Sequence, residues 1–148
     1  MMYPNSELVT IGWIKTIPNV PSGQVATTVP AVDNQGFRDN GFIQVTAVGG
    51  VPNQDTFMQN ATMQIDVYAF NADSNKVPWG KAYHLAMLIK EGLKEAARVI
   101  ETPVQYHDAY VHEVRVLVDP RRIMGDESSF ARYSFDVQVH WTVRELVA

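Results

Sequence analysis

The sequence predicts an α+β fold: a mostly antiparallel sheet of about five strands packed by one long helix, with a short helix at the N-terminus. Three observations carry this expectation. Apolar and polar residues alternate cleanly over residues 62–70 and 132–144, the period of strands with one buried face. An apolar stripe at spacing three to four runs from Trp79 to about Arg98, the period of an amphipathic helix. The order helix, three strands, helix, two strands places groups of strands on both sides of one long helix, as in an α+β layer. With 148 residues, 46% of them apolar and 19% charged, the chain has the length and composition of one domain with its own core.

Each element has a local reason. Residues 6–16 read as a short helix, with Ser6 as N-cap, Glu7 at the positive end of the helix dipole and Pro18 stopping it. Leu8, Ile11 and Lys15 share a face, Trp13 and Ile14 lie beside it, and Gly12 weakens the pattern. Pro18, Pro21, Ser22 and Gly23 are loop chemistry. The β-branched run 25–29 reads as a strand near an edge, because prolines crowd both ends. Residues 31–41 form a polar, turn-rich loop carrying one aromatic, Phe37, and one cation, Arg38.

Residues 42–48 are the next strand, with Ile43, Val45 and Ala47 on one face, and Gly49-Gly50 turns the chain. In 62–70, Met63, Ile65, Val67 and Ala69 face one side and Thr62, Gln64, Asp66 and Tyr68 the other. Pro78 suits the first turn of the main helix, about 30 Å long if it runs to Arg98. Residues 110–118 form a strand. The strand 132–144 puts Tyr133, Phe135, Val137, Val139, Trp141 and Val143 inward, and Arg132, Ser134, Asp136, Gln138, His140, Thr142 and Arg144 outward. A slip of one residue would expose all six apolar groups, so its register is fixed. Its length, about 40 Å, implies a bulge or a projection past the domain body.

Composition and motifs exclude several classes of chemistry. Twelve basic against sixteen acidic residues give a net charge of −4, unlike a surface built to track nucleic-acid phosphates. The absence of cysteine removes disulfide scaffolds, thiolate metal sites and cysteine nucleophiles. Residues 1–5 read as no signal peptide and no apolar run is long enough to span a bilayer, so the expectation is a soluble protein. His107 and His112 would lie on opposite faces of a strand, His84 has no carboxylate three or four residues away on its helix, and His140 sits on the solvent face of the last strand. Ser128-Ser129 is no nucleophile elbow and Gly49-Gly50 no phosphate loop. Asp66 and Asp136 sit on strand faces that could adjoin, but a solvated face is the commoner role for such carboxylates.

The loop 119–130 opens with Arg121-Arg122 and continues to Asp126-Glu127. It is long for a hairpin connection. It is either a solvated hairpin tip or a contact arm toward a neighbouring subunit.

The run Ala61-Thr62-Met63-Gln64-Ile65-Asp66-Val67-Tyr68-Ala69-Phe70, then Val77-Pro78-Trp79-Gly80-Lys81-Ala82 opening the main helix, resembles the tail terminator (tail completion) proteins of long-tailed bacteriophages, closest in form to those of actinobacteriophages. The short N-terminal helix before prolines, the Gly49-Gly50 turn and the closing hairpin from Pro120-Arg121-Arg122 to Arg132-Tyr133 match as well. The resemblance implies a structural virion protein and no enzyme, with no catalytic residues, no cofactor and no metal. It implies a ring, commonly of six subunits, at the head-proximal end of the tail tube, where it stops tube polymerisation and joins the tail to the head connector. The implied partners are further copies of the chain, the major tail tube protein and the head–tail connector or adaptor proteins, with no membrane. DNA would pass through the lumen without specific binding, which the negative charge suits. The implied location is the tail neck of the virion, after assembly in the host bacterial cytoplasm. Arg121, Arg122, Asp126 and Glu127, with Phe37 and Arg38, are the candidate subunit or tube interface residues. Two other classes stay open: another neck, connector-adaptor or minor tail protein, and a cellular α+β module or small enzyme with a pocket between helix and sheet.

Overall fold

The computed structural model describes residues 5–28, 40–50, 58–70, 77–92, 97–100, 108–123 and 130–143. Two helices, α1 (Ser6–Lys15) and α2 (Trp79–Glu91), accompany six strands: β1 (Val25–Ala26), β2 (Phe42–Gly50), β3 (Gln59–Phe70), β4 (Arg98–Ile100), β5 (Ala109–Arg122) and β6 (Phe130–Val143). They form one sheet in the order β1-β2-β3-β6-β5-β4. The α+β class and the mostly antiparallel pairing hold, with corrections: the described residues form six strands, and their sheet is mixed because β1 runs parallel to β2 while every other pair is antiparallel. As expected, β1 is an edge, though only Val25 and Ala26 pair.

The long helix is shorter than its stripe implied. It ends at Glu91, and the β-branched Val99 and Ile100 instead pair with Tyr110 and Ala109 of β5. Helix α1 starts one residue earlier than its Ser6 cap would place it. Asn5 Oδ1 accepts a 2.8 Å hydrogen bond from the Leu8 N–H, while Ser6 Oγ accepts one of 3.0 Å from Trp141 Nε1. Its apolar pattern is loose because Val9, Thr10, Ile11, Trp13 and Ile14 are all buried, leaving no wide polar stripe. Gly49 and Gly50 belong to β2 rather than to a turn, beyond a register shift after Ala47. Gly50 has φ +141°, and a Cβ there would collide with the Asn60 carbonyl, so this position takes glycine only.

Strands β3 and β6 pair through twelve consecutive residues without a bulge, with Met63 opposite Val137 and Ile65 opposite Phe135. That unbroken register aligns the apolar alternation of both strands on one face. Ile43 and Val45 of β2 and Val111 and Val114 of β5 extend the same face. Both helices cover it, α1 with Val9, Trp13 and Ile14, and α2 with Leu85, Ala86 and Ile89. At one end, the small side chains of Ala69, Ala82 and Ala131 let α2 approach the sheet closely.

Candidate functional site

The opposite face of the sheet carries neither described helix, and its side chains are largely polar. Its residues line up in rows across the strands, because paired residues point to the same side. One row is Asn60, His140 and Glu113; the next is Thr62, Gln138 and Arg115. Then come Thr46, Gln64, Asp136 and Val118, followed by Gln44, Asp66, Ser134 and Arg121. The alternation of β3 and β6 made their share of this face legible; the contributions of β2 and β5 needed the register.

Hydrogen bonds knit the face together. His140 Nδ1 lies 2.6 Å from Asn60 Oδ1, and its Nε2 lies 3.1 Å from Gln138 Oε1. Arg115 donates to Glu113 at 2.8 Å, and His112 Nε2 lies 2.9 Å from Thr142 Oγ1. Arg132 donates through Nε and Nη2 to Asp66 Oδ1, at 3.2 and 3.0 Å, and Gln64 donates to both oxygens of the same carboxylate. Asp66 is only 2% exposed, so this pairing is what makes a buried charge tolerable. Asp66 and Asp136 stand on neighbouring strands two residues out of register, about 7–8 Å apart at such diagonal positions. Phe42, Tyr68 and Phe70 form a buried aromatic cluster that closes one end of the face.

The β5–β6 arm corrects the reading of residues 119–130. Arg121 and Arg122 belong to β5, which continues through Arg122 and pairs with Ser134 and Tyr133. Three register shifts along β5 absorb the extra residues, so the arm is bulged. The two arginines therefore point apart. Arg122 stacks over the Trp79 ring at 4.3 Å, on the helix side, where Trp79 and Tyr83 also meet the Tyr133 ring. Asp119 accepts a 2.8 Å hydrogen bond from Lys90 at the end of α2, which raises the Lys90 pKa. Arg121 projects on the helix-free side, exposed and without a partner among the described residues. Asp126, Glu127, Phe37 and Arg38 lie outside the described residues, as does His107.

Among the described residues no group of His, Asp or Glu could hold a metal ion, and no helix is long and apolar enough to cross a membrane. A groove of about 460 Å³ runs between α2 and the turn after α1, lined by Asn19, Pro21, Asn40, Lys81, His84 and Leu88. No protein-family model matches the chain, and no curated protein matches its sequence.

Proposed function

We propose that this chain is a structural virion protein that forms a closed ring at the head-proximal end of a phage tail tube, ending tube growth and joining the tail to the head connector. One observation supports the reading beside the sequence resemblance: a two-sided sheet whose apolar face is packed by both helices while its other face presents rows of amide, hydroxyl and paired charged groups. Such a surface suits the wall of a water-filled passage. Its outer rows are solvent-exposed at His112, Glu113 and Arg115 while Asp66 and Ser134 are buried, and its ion pairs Asp66–Arg132 and Glu113–Arg115 are internally neutralised, so these groups would not grip passing phosphates. The test is electron microscopy of the purified chain, alone and added to phage tail tubes. Closed rings with a central opening, seated on one tube end, are the expected result. A monomer or two-fold dimer at the tail neck would remove the reading.

The groove beside α2 favours a second reading, a small-ligand binding module, since its volume falls within the range of ligand pockets. A small molecule that raises Tm in the wild type but not in a variant filling the groove, such as Leu88→Trp, would favour it.

A further inference from the structure

We infer that the two edges of the sheet are the two halves of a single head-to-tail contact between copies of this chain: β2 with Glu7 on one side, and the outer part of β5 on the other. This rests on the ring reading and names the surfaces that would build it. Four of the five large exposed apolar side chains among the described residues lie toward the edges of the sheet, Val99 of β4 among them, and the fifth, Tyr83, is on α2. Val48 is 50% exposed on β2, while Leu117 at 51% and Val118 at 39% lie on β5. The short outermost strands do not cover them, since β1 pairs only with Ile43 and Gln44, and β4 only with residues 109–111.

The two spots stand at the same height. Val118 pairs with Asp136, Asp136 with Gln64, and Gln64 with Thr46, so a single row crosses four strands and ends two residues before Val48. Charge is complementary as well. Beside Val48 lies the Glu7 carboxylate, and near Val118 lies the unpartnered Arg121. Two different patches at opposite edges form a heterologous contact, which repeats until its rotation closes a ring.

The contact is made by side chains rather than by extending the sheet. Glu7 accepts the Ala47 N–H at 3.3 Å, occupying a backbone donor of the β2 edge. On the other side, three bulges and Pro120, which has no N–H, interrupt β5. Devices of this kind block open-ended strand addition, leaving exposed side chains to make the contact.

The absence of cysteine from the sequence makes the test direct. In a Val48→Cys/Val118→Cys variant, a short bis-maleimide should produce a ladder of covalent oligomers on a denaturing gel, while either single variant stays monomeric. Adding Arg121→Glu should lower the ladder yield by up to about fivefold, the upper worth of one exposed ion pair. Dimers from a single variant would mean a two-fold contact and overturn the inference. Rings in the microscope without a ladder would place the contact elsewhere and leave the ring reading standing. A ladder without tube capping would leave the contact standing and remove the tail-end role. A chain that stays monomeric in both assays removes both.

Discussion

Asp66 is the residue on which most depends, because it is a buried carboxylate whose charge is met by Arg132 and by the Gln64 amide. Removing one partner of such a pair leaves an uncompensated charge, whereas replacing both with apolar groups of similar size is close to neutral. Arg132→Met is therefore expected to lower stability by about 2–3 kcal/mol in urea denaturation. Combining it with Asp66→Leu should recover most of that loss. Glu113 is the contrasting case, an exposed carboxylate. A hydrogen bond from Arg115 holds it below the usual glutamate range, and the charges of Arg115 and His140 pull the same way. Because the folded pKa is the lower one, the pair's contribution is present above the ordinary glutamate pKa and is lost as pH falls through the depressed value. Arg115→Gln should move the Glu113 titration upward, read by NMR of its side-chain carboxyl; an unmoved titration would mean that the pair is not formed in solution.

At the scale of elements, the β5–β6 arm is set by its contacts with α2. Lys90 holds Asp119, and Trp79 carries Arg122 on its ring, so the helix ties the arm down at two points. The consecutive arginines consequently do different work. Arg122→Glu should destabilise the fold by about 1–2 kcal/mol, since it replaces a stacked cation with an anion against the ring. Arg121→Glu should leave stability within about 0.5 kcal/mol, as for other exposed positions, and act only on self-association. Parallel thermal melts and sedimentation of the two variants check this. Equal losses of stability would place both side chains in the fold.

For the whole molecule, the deciding feature is that one sheet separates two environments. Its helix-packed face buries the core, and its other face carries polar groups many of which pair with one another, as Arg132 does with Asp66 and His140 with Asn60, though the buried Ser134 hydroxyl has no partner among the described residues. A net charge of −4, with Arg115 and Arg132 paired to carboxylates and Arg121 left as the exposed cation of this face among the described residues, gives a duplex little to hold. Fluorescence anisotropy with duplex DNA at physiological salt should give a Kd of about 10⁻⁴ M or weaker, the weak end of ordinary non-specific binding. Micromolar binding that falls steeply with salt would contradict a neutral passage.

The α+β class, the alternation of β3 and β6, the start of α2 after Pro78 and the polar side chains on the outward faces of β3 and β6 were legible in the amino-acid order. These follow from period and local chemistry, which act over a few residues. Tertiary structure decided the rest. It ended α2 at Glu91 and made Arg98–Ile100 a strand, because residues 109–111 of β5 were there to pair with it. It also buried Asp66 beside Arg132 and kept Gly49 and Gly50 within β2. Most plainly, it sent Arg121 and Arg122 to opposite sides of the sheet. Their adjacency suggested one charged tip, but neighbours on a strand face opposite ways, and only the register against Ser134 and Tyr133 shows which one meets the helix.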